Sequence, residues 1–184
     1  MTPHPAEVLQ FWFGQDRKRW FGKDPAFDAE IRERFLGLHE LAANEKLDAW
    51  KSDPKGCLAL VLTLDQFPRN MFRGEARAFA TDKLALAAAQ EAIAGGHERD
   101  LCPSERLFLY LPFEHSESLE DQWRALALIA PLAVWPETAD AYGWAVRHWE
   151  IIRRFGRFPH RNAALGREST AEEAAFLAQP GSGF

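Results

Sequence analysis

The stretch that most constrains this chain is Cys57–Leu64, reading Cys-Leu-Ala-Leu-Val-Leu-Thr-Leu. It is apolar nearly all round, so whatever it forms must be covered on every side by other elements. Over so short a run, periodicity does not separate a buried helix from a buried strand. The preceding Asp53-Pro54 pair decides between them, because it is an N-cap followed by a proline in the first helical turn. With the Leu and Ala content it predicts a central helix. Pro68 disfavours helix at Phe67, so the reading ends the helix near Leu64. Asp65-Gln66-Phe67-Pro68-Arg69-Asn70 is then left as a projecting turn.

The rest of the chain supplies the cover. Pro5 opens a helix carrying Val8, Leu9, Phe11, Trp12 and Phe13, and Gly14 stops it. Gln15–Gly22 reads as a charged loop. Asp24-Pro25 starts an amphipathic helix with Phe27, Ile31, Phe35 and Leu38 on one face. A third helix begins near Thr81-Asp82, carries Leu84, Ala88 and Ala92, and stops at Gly95-Gly96. Pro103-Ser104-Glu105 opens a short helix that Pro112 closes after Leu111, leaving Phe113–Glu117 as a polar loop. A helix runs from Ser118 through Leu132. Pro136–Thr138 starts a long one that ends at Gly156. Thr170-x-x-Glu173 is a capping box for a short last helix. Residues 179–184 contain Pro180, Gly181 and Gly183 and are expected to fray unless Phe184 docks. No segment alternates with a period of two. The expectation is one all-α domain over 1–184, with about seven to nine helices.

Several function classes are disfavoured. The formal net charge is −5, which argues against a dedicated nucleic-acid binder. The two cysteines, Cys57 and Cys102, are isolated, so neither a disulfide framework nor a zinc ribbon is expected. The start shows no basic and apolar leader pattern, and no apolar run approaches the roughly 20 residues of a membrane span. A cytoplasmic protein is expected. No P-loop, Rossmann, G-x-S-x-G, H-x-x-x-H or E-x-x-H pattern occurs, so neither a metal nor a cofactor is expected.

What remains is an unusual polar segment, His148 to Thr170. Between 147 and 167 it sets six arginines (147, 153, 154, 157, 161 and 167) against one acid, Glu150. Arginine forks bind carboxylate or phosphate bidentately, so this is an anion-recognition candidate. Arg147, Glu150 and Arg154 also fit a helix-surface ladder, and Arg153 and Arg154 suit a helix C-terminus. Arg157, Arg161 and Arg167 lie past the helix and fit neither. Phe158-Pro159-His160-Arg161-Asn162 echoes Phe67-Pro68-Arg69-Asn70, each placed just beyond an apolar helix.

His148 falls on the apolar stripe of its helix, which suits a hydrogen-bonded core histidine as well as a site residue. Glu114-His115-Ser116-Glu117 is the natural partner of the Arg-rich turn. Glu114 and Glu117 can pair with Arg157 or Arg161, or Glu117 can poise His115 as a general base or acid.

The blocks Phe11-Trp12-Phe13-Gly14, Trp20-Phe21, Asp65–Asn70, Pro112–Glu117, Phe155–Asn162 and Leu165–Thr170 together resemble an uncharacterised bacterial family, domain of unknown function 924. The resemblance covers essentially the whole chain. It implies a helical domain of the tetratricopeptide-repeat-like superfamily, with antiparallel helix pairs stacked around a concave surface. The roughly 34-residue repeat consensus is absent, and no reaction is implied.

Three readings stay open. The first is a pocket for a small carboxylate or phosphate ligand between the 65–70, 113–117 and 156–170 loops. His115 and His160 would move protons there, with Glu117 behind His115. Arg69, Arg157, Arg161 and Arg167 would hold charge, and Asp65, Gln66, Asn70, Ser116, His148 and Asn162 would shape the pocket. The second is a protein-interaction module that uses the concave face without catalysis. The third makes the polar blocks buried networks that tie helix ends together.

Overall fold

In the computed structural model, which describes residues 4–182, the apolar run lies where its chemistry demands. The elements in order are α1 (Pro5–Phe13), α2 (Arg17–Trp20), α3 (Pro25–Ala43), α4 (Pro54–Met71), α5 (Asp82–Ala94), α6 (Pro103–Glu114), α7 (Leu119–Ile129), α8 (Ala141–Phe155) and α9 (Ala171–Leu177). Short 3-10 turns link several of them, and no strand occurs among the described residues. Helix α4 packs against α1, α3, α5 and α6, and every residue from Gly56 to Pro68 is buried. Helices α6, α7 and α8 continue the body as successive contacting pairs. No helix among the described residues is long and apolar enough to cross a membrane.

The local start signals work as their chemistry predicts. Asp24 accepts from the N–H groups of Ala26 and Phe27, Asp53 accepts from Gly56, and Thr170 and Glu173 close a reciprocal capping box. Gly56 is required by close approach, since a Cβ there would lie 2.5 Å from the Trp50 carbonyl oxygen. Gly156 ends α8 in the left-handed region at φ 69°, where a side chain is disfavoured.

Two prolines behave differently from expectation. Helix α4 runs through Pro68 to Met71, so residues 65–70 are helical and not a loop. Pro68 has no N–H, and the Leu64 carbonyl therefore loses its helical partner. The Thr81 hydroxyl, at the start of α5, donates to that carbonyl at 2.6 Å and replaces the lost bond. Phe67 is fully buried, with ring contacts to Phe11, Trp12 and Phe35. Burial of a ring worth about 3–5 kcal/mol on truncation easily outweighs the local preference set by the following proline.

Helix α6 likewise passes Pro112 and reaches Glu114, which is buried. Gln122 of α7 closes that end, donating to the carbonyls of Glu114 at 2.6 Å and Ser116 at 2.8 Å.

Smaller corrections have similar causes. Within Gln15–Gly22, Asp16 caps the one-turn helix α2, and Trp20 Nε1 donates to the Trp12 carbonyl at 2.8 Å. The helix from Ser118 stops at Ile129 and tightens into a 3-10 turn over Ala130–Val134, which contains Pro131. Pro136–Thr138 is a separate 3-10 turn before α8, held where Thr138 Oγ1 donates to the Leu132 carbonyl. Pro159–Arg161 is also a 3-10 turn, so the two Phe-Pro echoes adopt different conformations. Of the terminal segment, Ser182 Oγ donates to the Leu177 carbonyl and Arg147 donates to Gly181. Phe184 lies outside the described residues.

Candidate functional site

Because α4 continues past Pro68, Asp65 and Arg69 fall one turn apart on the same buried helix. Asp65 is fully buried. Its Oδ1 takes His115 Nδ1 at 2.8 Å, and its Oδ2 takes Gln66 Nε2 at 2.6 Å. Arg69 reaches Asp65 Oδ1 at 3.2 Å and makes a two-pronged pair with Asp82, Nη1 to Oδ1 at 2.9 Å and Nη2 to Oδ2 at 3.0 Å. Arg161, from the 3-10 turn after α8, puts Nη1 on Asp82 Oδ2 at 3.1 Å and Nη2 on the His115 carbonyl at 3.0 Å. The Phe79 ring lies beneath both guanidiniums, with Cζ–centroid distances of 5.7 Å for Arg69 and 4.7 Å for Arg161. The two Phe-Pro segments thus meet across Asp82.

Behind this group, His148 Nδ1 lies 2.9 Å from the Trp144 carbonyl and 3.0 Å from Glu114 Oε1. The His115 and His148 ring centroids are 6.2 Å apart. Phe158 packs edge-on to His148 and beside His160.

Burial sets the protonation states. It would raise the Asp65 carboxyl, but the Arg69 charge and the hydrogen bonds from His115 and Gln66 hold it well below the carboxylate range. Burial and the Arg69 charge push His115 down, against the pull of Asp65. An ionised Asp65 facing a neutral His115 places the proton on Nδ1 and leaves Nε2 with its lone pair. Nε2 has no hydrogen-bond partner among the described residues, and the imidazole keeps 13 % side-chain exposure.

Glu114 shows the opposite behaviour. Burial, aided by the Asp65 charge, raises its carboxyl to about 8, so it is mostly protonated at neutral pH. Burial lowers His148 to about 3 and His160 to about 4, with neighbouring cationic groups adding to both. Arg161 is lowered to about 10 by burial and by Arg69 and stays cationic. Its Nε is buried without a hydrogen-bond partner among the described residues.

The remaining expected site residues divide into separate networks. Glu117 does not hold the His115 ring; it makes a bidentate pair with Arg167 at 2.8 and 3.0 Å and accepts the Phe158 N–H at 2.8 Å. Arg157 grips Glu173 at 2.6 and 2.8 Å, and Asn162 joins Glu173, Ser169 and Arg167. Asn70 donates to Asp28, which also pairs with Arg73. Ser116 Oγ donates to Asp121. The geometry therefore gathers Asp65, Gln66, Arg69, His115 and Arg161 at one place, with His148 and His160 packed alongside.

No local sequence pattern marks Asp82 or Phe79. Asp82 sits among ordinary helix-start acids, and only the α4–α5 packing brings it between two arginines. Among the described residues, no group of three metal-ligating side chains is poised to hold an ion. A cleft of about 740 Å³ lies elsewhere, between α1, the Asp48–Ser52 turn and the starts of α4 and α6, with Phe13, Trp50 and Lys55 in its walls. It shares no residue with the polar cluster.

Comparison with known proteins agrees with the fold. The model of a family described as bacterial protein of unknown function (DUF924) matches residues 8–181. A solved structure of a protein of unknown function from Agrobacterium tumefaciens is similar at 44% identity and a TM-score of 0.88, covering 95% of this chain and 96% of that one. No curated protein matches.

Proposed function

The chain belongs to this bacterial family of unknown function, and we propose that it binds a small anion at the Asp65–His115–Arg69–Arg161 cluster and uses His115 for proton transfer. The observation that carries the reading is the Asp65–His115 pair, whose imidazole is fixed through Nδ1 and open at Nε2. A base whose partner is itself oriented by a third group is the recurring arrangement of proton-transfer sites. Two guanidiniums stand beside it, and one of them has a buried donor with no partner among the described residues. Such donors stabilise negative charge best in a site from which water is largely excluded. Arg157, Arg167 and Glu117 serve this reading as framework, since their pairs fix the 156–170 segment against α9 and the 115–118 turn.

The test is histidine nitrogen NMR across pH 5–8 with added sodium acetate or inorganic phosphate. His115 is expected as the neutral Nδ1–H tautomer throughout, with its Nε2 resonance moving saturably on anion addition. An ordinary titration near 6.5, with no response to either anion, overturns the proposal. A second reading, docking of a protein partner, rests on Trp123, Trp135 and Trp144, each about half exposed. Aromatic anchors of this type concentrate binding energy in interfaces.

A further inference from the structure

We infer that the ligand of this cluster is a carboxylate and that Asp82 keeps its place in the ligand-free protein; this rests on the anion-binding reading above. Asp82 is an internal acid held as an external one would be. One carboxylate fills the Arg69 fork at 2.9 and 3.0 Å and takes a third bond from Arg161 at 3.1 Å. The planar group rests where two guanidiniums and the Phe79 ring converge. The same Arg161 guanidinium also holds the His115 carbonyl. A carboxylate at this place is therefore tied to the His115 loop by a single side chain.

Asp82 is also placed to leave. It is the first residue of α5, its side chain keeps 19% exposure, and among the described residues its carboxylate is held only by the two arginines. Its backbone need not move, because the neighbouring Thr81 is anchored separately on the Leu64 carbonyl. A side-chain rotation would turn the acid towards water and open both guanidiniums.

Charge selects the class of ligand. Inside the cluster, Arg69 and Arg161 face Asp65 and Asp82, so the set is balanced by two monoanions. A monoanionic carboxylate replacing Asp82 keeps that balance. A phosphate dianion would add a charge beside ionised Asp65 with no third arginine to meet it, because Arg157 and Arg167 are engaged by Glu173 and Glu117. Arginine forks accept either group geometrically, so charge is what discriminates here.

The experiment compares Asp82→Asn with the wild-type protein. The amide keeps the shape but competes weakly for the arginines. Sodium acetate and inorganic phosphate are titrated into each protein while the His115 resonances are followed. Acetate should bind the variant about tenfold more tightly than the wild type, a 1.4 kcal/mol difference, and more tightly than phosphate binds. Equal acetate affinity in the two proteins, or preference for phosphate, overturns the carboxylate inference and leaves anion binding standing. No response to either anion in either protein overturns both.

A second measurement needs no variant. In the wild type, the Asp82 side-chain carboxyl carbon should shift towards its solvent-exposed value as acetate saturates, while that of Asp65 stays fixed. An Asp82 signal unmoved at saturation overturns the inference even if the variant fails to fold.

Discussion

Replacing Glu114 by glutamine should change the pH dependence of stability in a direction fixed by its burial. Glu114 is 3% exposed, and burial raises its carboxyl from 4.5 to about 8, with the Asp65 charge adding to the effect. In the unfolded chain the same group ionises near its ordinary value. Between those two values folding takes up a proton, so this group's contribution to stability falls as pH rises and is constant above about 8. The whole interval corresponds to on the order of 5 kcal/mol, with about 3 kcal/mol already lost at pH 7.

Four histidines act with the opposite sign. His39, His115, His148 and His160 are all lowered, so the unfolded chain binds protons that the fold refuses, and stability falls as pH drops below about 6.5. The raw profile is therefore a sum, and the difference between wild type and Glu114→Gln isolates the one acid. Glutamine retains a carbonyl oxygen to accept the His148 Nδ1–H while removing the ionisation. Urea denaturation at pH 5, 6, 7 and 8 is the assay. The variant should be within about 1 kcal/mol of wild type at the acid end and progressively more stable than it towards pH 8. A difference that stays constant from pH 5 to 8 refutes the protonated buried acid.

Two further substitutions test the frame. Thr81→Val should cost about 1–3 kcal/mol by stranding the Leu64 carbonyl; the cost should shrink in a Pro68→Ala background, where the helix supplies its own N–H, and a double-mutant cycle by denaturant melts reads the coupling. Gly156→Ala meets no atom within 4 Å of the new Cβ, so its cost of about 1 kcal/mol should be purely conformational and visible as a lower melting temperature.

Helix starts were legible because they are local. Asp24-Pro25, Asp53-Pro54 and Thr170-x-x-Glu173 each contain the oxygen and the N–H groups that satisfy one another. The all-helical class followed from the same patterns. Helix ends at Pro68 and Pro112 were misread because the partners that support them, Thr81 and Gln122, lie on other helices. The candidate site was legible in part. Asp65, Arg69, His115 and Arg161 stood out as polar residues beside apolar runs. Asp82, however, carries no local mark, and the pairing of Glu117 with Arg167 and of Arg157 with Glu173 depends on how the last turns fold back. His148 read correctly as an inward-facing residue, since its helix stripe was intact. Its neighbour across the packing, Glu114, was expected on a loop beside Arg157 or Arg161; it instead ends α6 and meets His148, while Arg157 pairs with Glu173 and Arg161 with Asp82.

The central position of α4 has one more consequence. Asp65 and Arg69 stand on the helix with the deepest cover, so their backbone should exchange its amide hydrogens only in near-global opening. On the proposed function, fluctuations able to admit a ligand are left to the outer parts, the start of α5 and the turn after α8. Natural or engineered variation on α4 is then felt twice, once in the melting behaviour of the whole molecule and once in the aim of Asp65 and Arg69. If the cluster binds the proposed anion, variation in recognition without loss of the fold has its room on the outer side, around Phe79, Asp82 and Arg161.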